Sequence, residues 1–338
     1  MFTSLAGAIV GVVVALVLFT ACGNASGGNA PATQAPPVAL PSPTGYYVDP
    51  DSPAAQQQRE WQAAGRTEDA AAIGRIASQP VPLWLTADTA SVAAQAGGYA
   101  DRAAAVGQKP LFVAYHIPNR DCGSFSSGGA ADAADYAAWI RQVASALKGR
   151  EATVVLEPDA VPHEVSGCVG DAASQRKTML SDAISVLKAA GPVTVYLDAG
   201  NPGFVKDPAA IADALAASGI AQADGFSLNV ANFWTTADNL TYGRAISDRL
   251  SGKHFIIDTS RNGNGPVAGD TIDGGPTFCN PPGRALGQEP TLSSGEDRVD
   301  AYLWVKRVGE SDGACRPGEL AAGTWSPTSA IELVDNGR

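Results

Sequence analysis

TVVLEPDAVP, Thr153 to Pro162, runs four residues suited to a buried strand into two carboxylates, Glu157 and Asp159, with one proline between them. An unbroken apolar and β-branched run reads as a strand covered on both faces, the condition of a parallel sheet. The same design recurs along the chain as VPLWL (81–85), LFVAY (111–115), VTVYL (193–197), GFSLNV (225–230), HFIID (254–258) and AYLWV (301–305). Between most of these runs lie Ala-rich helical stretches, such as 131–147 and 171–190. Strands spaced by helices imply repeated βα units, and seven strands suit either an open doubly wound sheet or a barrel.

The residues just past each strand narrow the choice. Acids stand past five of the seven runs: Asp121; Glu157 with Asp159; Asp198; Asp258; and Glu310 with Asp312. The carboxyl ends of parallel strands face one cleft, so these acids are expected to converge. The plain competitor is helix capping, because Asp is a favoured N-cap residue. Proline at 158 is expected to hold Glu157 extended, and Arg120 is a candidate partner that would make Glu157 structural.

Composition limits the partners. The chain has 338 residues, 45% hydrophobic and 17% charged, with a net charge of -11. Its acids are spread along the sequence, so neither nucleic acid nor an anionic membrane surface is an expected partner. A neutral ligand and a monomeric state are expected instead.

The N-terminus reads separately. Ala6 to Thr20 is almost wholly apolar, and LFTACG then sets small residues before Cys22. Residues 1–22 therefore read as a signal peptide whose end resembles a lipobox, making Cys22 a candidate lipidation site and the only expected link to a membrane. An ordinary cleaved signal is the alternative reading, and a spanning helix would be short for that task. Residues 23–45, rich in Pro, Ala and Gly, read as a flexible tether, with the folded βα domain from 46 to 338. An exported, cell-envelope or extracellular protein is expected.

Cys22 set aside, four cysteines remain: Cys122, Cys168, Cys279 and Cys315. None lies in a CxxC pair and the three histidines are scattered, so no metal and no cofactor are expected. In an oxidising compartment two disulfides are the better reading, with three pairings open.

YHIPNRDCGSFSSGG (115–129) and VVLEPDAVP (154–162) resemble the two signature segments of glycoside hydrolase family 6, the inverting β-1,4-glucanases. The likeness continues through YLDAG (196–200), DTSRNGNG (258–265), CNPPGRALG (279–287) and LWVKRVGESDG (303–313). It implies a distorted, partly open seven-stranded parallel βα barrel, TIM-barrel-like, with Cys122 bonded to Cys168 and Cys279 to Cys315. Each such bridge would close a loop of about 40 residues and contribute about 3 to 4 kcal/mol.

The resemblance also implies roles. Asp159 matches the general acid, and Asp121 the acid that raises the donor's pKa and orders water. Asp312 matches the acid proposed as base, ranked below the other two because a direct base is disputed in this family. Tyr115, Ser127, Asp198, Lys306 and Glu310 match positions at the sugar or beside it, and Trp84 matches an aromatic platform. Trp234, with its neighbour Asn232, is a second platform candidate, whereas Trp61, Trp139 and Trp325 read as packing residues. Inversion needs a protonated acid on one face and an activated water on the other, so the acid's pKa must be raised by burial or a neighbouring carboxylate.

The sequence departs from the family pattern on the acceptor side. Asn201 stands where a His is usual, and Phe204 and Phe278 where Trp is usual. The acids are kept and the aromatic contacts thinned, which points toward a soluble, modified or mixed-linkage glucan. GESDGACRPGEL (309–320) has little between Asp312 and Cys315, so an open cleft and internal cuts are expected. The competing reading is a lipid-anchored protein that binds glucan without cutting it.

Overall fold

The computed structural model of the chain describes residues 39–337. The expected signal peptide, Cys22 and the tether as far as residue 38 lie outside the described residues. Residues 39–45 lie inside, and there Thr44 is buried and the Leu40 carbonyl accepts from Gln108 Nε2 at 2.7 Å.

Seven strands form one parallel sheet in chain order: β1 (Leu83–Leu85), β2 (Leu111–Ala114), β3 (Ala152–Leu156), β4 (Val193–Asp198), β5 (Gly225–Leu228), β6 (His254–Asp258) and β7 (Val299–Leu303). Strand β1 is short because Pro80 and Pro82 before it have no N–H to give a neighbour. β1 and β7 are the two ends of that order, and Trp84 Nε1 reaches from β1 to donate to the Val305 carbonyl just past β7, at 3.0 Å. The sheet is thus the expected partly open barrel, with a side chain rather than a ladder spanning the gap.

Alternation along the strands separates two cores. Leu111, Val113, Val155, Tyr196, Ile256, Ala301 and Leu303 fill the inside of the curl. Phe112, Ala114, Val154, Leu156, Val195, Leu197, Phe226 and Phe255 point outward against the helices. Both sets are buried, which is why the strands read as continuous apolar runs. Three of the surrounding helices begin on side-chain caps of the usual kind: Asp132 takes two amides at the start of α4 (Ala133–Ala146), and Ser52 and Asp207 precede a first-turn proline in α1 (Pro53–Ala63) and α7 (Pro208–Ala217). Trp139 of α4 is fully buried and stacks on His116, so its loss to Ala would cost about 3 to 5 kcal/mol.

The βα alternation fails once. Between β6 and β7 the chain builds only a two-residue hairpin, Thr271–Ile272 with Gly275–Pro276, and loops. That stretch carries Phe278 and Cys279 to the rim of the sheet instead of returning through a helix.

Candidate active site

The turn after β3 sets the geometry. Glu157 and Asp159 both have left-handed backbone, with φ of 49° and 70°. This corrects the expectation that Pro158 keeps Glu157 extended. The cause is the fully buried Glu157 carboxylate, whose oxygens accept the backbone N–H of His116 (3.0 Å to each) and of Ile117 (3.0 Å). Those bonds offset the cost of about 1–3 kcal/mol for a non-glycine residue held there. Arg120 is not its hydrogen-bond partner either: that guanidinium donates to the carbonyls of Tyr115, Ser126 and Ser127. Burial raises the Glu157 pKa to about 7.

Beyond the turn, Asp159 N–H donates to Asp198 Oδ1 at 3.0 Å. Asp198 is fully buried and also accepts Gly200 N–H and the Ser227 hydroxyl, each at 3.0 Å. It steers Asp159 from behind and cannot itself meet a ligand.

A cleft of about 620 Å³ lies over the strand ends. Of the residues singled out from sequence, Trp84, Tyr115, Asp121, Asp159, Asn201, Asn232, Trp234, Lys306 and Asp312 line it. Three do not. Asp198 is buried beneath it; Ser127 is exposed outside its wall; and Glu310 turns away to pair with Arg307 at 2.9 Å, lining a separate cavity of about 270 Å³. The five acidic strand ends therefore divide: Glu157, Asp198 and Asp258 bind backbone amides, and only Asp121, Asp159 and Asp312 reach the cleft. A strand-end acid whose oxygens complete the backbone of neighbouring strands looks the same in sequence as one that faces a substrate.

The three strand-end acids of the cleft sit in different fields. Among the described residues no cation pairs with Asp159; burial, then the charge of Asp198, then that of Asp121, push its pKa well above the ordinary carboxylate value. Burial also raises Asp121, though Ser126 N–H donates to its Oδ2 at 2.7 Å. Burial pushes Asp312 the same way, but Arg261 (2.9 Å) and Lys306 (3.2 Å) overrule it and hold its pKa below the usual range. Asp312 also accepts Asn280 N–H at 3.0 Å, while Asn280 Oδ1 accepts Asp312 N–H at 2.8 Å. Asp159 is therefore built to keep a proton and Asp312 to stay charged and fixed.

Aromatic rings face the remaining wall. Trp84 meets Tyr115 edge to face, with ring centroids 5.3 Å apart. Trp234 lies directly on Gly203, where a Cβ would come within 2.2 Å of its indole nitrogen. Asn201 Oδ1 accepts the N–H of Gly203 and of Phe204, each at 3.0 Å, so it builds the turn that presents Phe204. Phe204 and Phe278 are exposed in the cleft, as expected from the sequence.

Sequence reasoning missed four contributors. Arg261 and Asn280 fix Asp312, Phe125 lines the cleft, and His163 meets Phe204 edge-on at 5.2 Å. Arg261 and Asn280 lie inside two of the family-like segments, DTSRNGNG and CNPPGRALG, whose charged and amide side chains were the available signal. Phe125 also lies inside a family-like segment, YHIPNRDCGSFSSGG, but its place depends on the loop's contact with Gly313, where a Cβ would lie 2.6 Å from Phe125 Cβ.

Two disulfides pin the loops, Cys122–Cys168 and Cys279–Cys315, each with Cα atoms 6.3 Å apart. They are the pairs implied by the family resemblance. The first lies next to Asp121 and the second joins the hairpin stretch to the segment after Asp312.

Comparison with known proteins agrees with this geometry. Residues 42–337 match the family described as Glycosyl hydrolases family 6. The chain is 42% identical over 301 residues to Endoglucanase A of Cellulomonas fimi, covering 88% of this chain and 63% of that protein, so it spans less than two thirds of that relative. It is 39% identical to Endoglucanase 1 of Streptomyces halstedii, covering 89% of this chain and 92% of that one. Among solved structures, the endoglucanase Cel6 from Mycobacterium tuberculosis, in complex with methyl-cellobiosyl-4-deoxy-4-thio-β-D-cellobioside, superposes with a TM-score of 0.80 at 40% identity, covering 86% of this chain and 96% of that chain. The match runs through every strand end that carries the cleft, and the chain belongs to glycosyl hydrolases family 6.

Proposed function

We propose that this chain cuts internal β-1,4-glucosidic bonds of a cellulose-like glucan with inversion, Asp159 acting as general acid. The observation that carries the reading is that Asp159 stands half-buried in the cleft beside two further acids, with no cation paired to it among the described residues. A carboxylic acid that holds its proton can protonate the leaving glycosidic oxygen, and proton transfer of this kind is worth roughly 10²- to 10⁴-fold in rate. Asp121, at the same cleft, assists by raising the donor's pKa and orienting the attacking water. Asp312 serves as a fixed negative charge rather than as the base, since two cations already engage its oxygens.

Sugar rings lie with their C–H faces on aromatic side chains, which gives Trp84, Trp234, Phe204 and Phe278 the task of holding the chain. Endoglucanase relatives and the oligosaccharide analogue bound to the mycobacterial enzyme support this substrate class. The disulfides fit an exported protein. We infer a monomer held at the cell envelope through lipidated Cys22; detergent phase partition of wild type against Cys22→Ala tests the anchor, and equal partition contradicts it.

The test of function is reducing-sugar release from carboxymethylcellulose and mixed-linkage β-glucan, with viscosity followed in parallel. Release with an early fall in viscosity, abolished in Asp159→Ala, is expected. Binding without release by the wild type would instead establish the non-catalytic alternative. The first product should be the α-anomer by NMR; a β-anomer first would contradict inversion.

A further inference from the structure

We propose that Glu157 and Arg176 are positioning residues for Asp121, gripping the backbone of residues 116–119 by its donors and its acceptors respectively. The inference rests on the role of Asp121 proposed under the function above.

The segment between β2 and Asp121 forms no helix or strand, and its backbone is tied across the loop where Arg120 bridges Gly128 and His116 accepts from Ala130. Asn119, Asp121 and Cys122 all adopt left-handed backbone, with φ of 52°, 55° and 46°. Non-glycine residues in that region persist only where the surroundings over-determine them. Glu157 supplies one half of that constraint through its bonds to the amides of His116 and Ile117. Arg176, 2% exposed on the helix α6 (Ala173–Ala189), supplies the other: its Nη2 donates to the carbonyls of Pro118 at 2.8 Å and Asn119 at 3.3 Å. Four consecutive residues thus each give one backbone group to two side chains of opposite charge. Neither side chain lines the cleft.

The groups facing Glu157 explain why the arrangement suits this task. Tyr136 faces it from α4, Arg176 acts on it from α6 without a direct bond, and Arg120 acts from the gripped loop. Among the described residues no salt bridge consumes the carboxylate, so both oxygens are free for amides. A purely structural buried acid would be served as well by one cation, and it would not need to hold the two residues that lead into the loop of Asp121.

The test uses the full chain and measures kcat and KM on cellotetraose for wild type, Glu157→Gln, Arg176→Lys, Asp121→Asn, and each of the first two combined with Asp121→Asn. Gln presents an NH₂ to an amide donor, so one clamp becomes repulsive while size is kept. Glu157→Gln should lose on the order of 10²-fold in kcat, with KM changed by less than about 2-fold, as displacement of a catalytic group predicts. Combined with Asp121→Asn it should lose nothing further, because its effect acts only through Asp121. Losses that multiply, or a folded Glu157→Gln with wild-type kcat, overturn the proposal. Should Glu157→Gln fail to fold, Arg176→Lys decides: a reduced kcat that vanishes in the Asp121→Asn background supports positioning, and a wild-type kcat overturns it. Asp121→Asn at wild-type rate would instead overturn the reading of Asp121 itself.

Discussion

The β3–β4 side of the cleft and the β6–β7 side each present one aspartate, yet they solve the burial of a carboxylate in opposite ways. Asp159 is surrounded by burial and two like charges, with no cation paired to it among the described residues. Asp312 is held between Arg261 and Lys306. Desolvation acts on both in the same direction, so the partner decides the outcome: a neutral acid on one side, a fixed anion on the other. The rim thus sets an acid whose pKa is raised on one wall of the cleft and a fixed charge on the other.

The largest expected effect breaks the first half of that comparison. Asp159→Ala should lower kcat on an unactivated β-glucan by about 10³-fold, within the range for a general acid, measured by reducing-sugar release. Next comes the ion pair. Arg261→Met leaves Asp312 buried with one cation fewer and should destabilise the fold by about 3–5 kcal/mol, read from urea denaturation midpoints; an unchanged midpoint would mean that the pair is solvated in solution.

The third effect sharpens the electrostatic half. Asp198→Asn keeps an oxygen for the two amides it serves and turns its NH₂ to the Ser227 hydroxyl, which can accept it, while removing the larger of the two charges that raise Asp159. A general acid must be protonated, and activity is lost as pH rises through its pKa. Removing Asp198's charge lowers that pKa, so the basic limb of kcat/KM should move to lower pH. A limb that stays in place would assign it to another group.

A fourth test concerns stability on the Asp159 side. His163 is buried and its pKa falls from 6.5 to about 4, by desolvation first and Arg176 second. The unfolded chain binds its proton across that window and the folded chain does not, so this group's contribution is full above about pH 6.5 and is lost as pH falls toward 4. His163→Gln should flatten that slope by roughly 2 kcal/mol, seen in melting temperatures between these pH values. The smallest effect is a gain: Phe278→Trp enlarges an exposed platform and should tighten cello-oligosaccharide binding by about 0.5–1 kcal/mol in calorimetry.

Much of this architecture was legible in the residues. Fully buried strands announce themselves as apolar runs, which placed all seven within a few residues, and the position of acids after those runs located the rim. The exposed rings of Phe204 and Phe278 were also readable, because each stands beside a family-like segment where the resemblance makes Trp usual. Burial direction was not. Glu157, Asp198 and Asp258 look like cleft acids in sequence, and only the fold shows that their oxygens are taken by backbone amides of neighbouring strands. The extended backbone assigned to Glu157 failed for the same reason: local proline preference was outweighed by bonds to residues about 40 positions away. Glu310 and Ser127 were placed at the sugar by motif alone, and neither lines the cleft. Arg261 escaped assignment because a buried arginine shows its purpose only once Asp312 lies beside it.

The most direct measurement of the central claim compares leaving groups in Asp159→Ala. Cellotetraose needs protonation of its leaving oxygen, whereas 2,4-dinitrophenyl β-cellobioside departs without it. A loss of about 10³-fold is expected on the first and a far smaller one on the second. Equal losses on both, or full activity on cellotetraose, would contradict Asp159 as the proton donor.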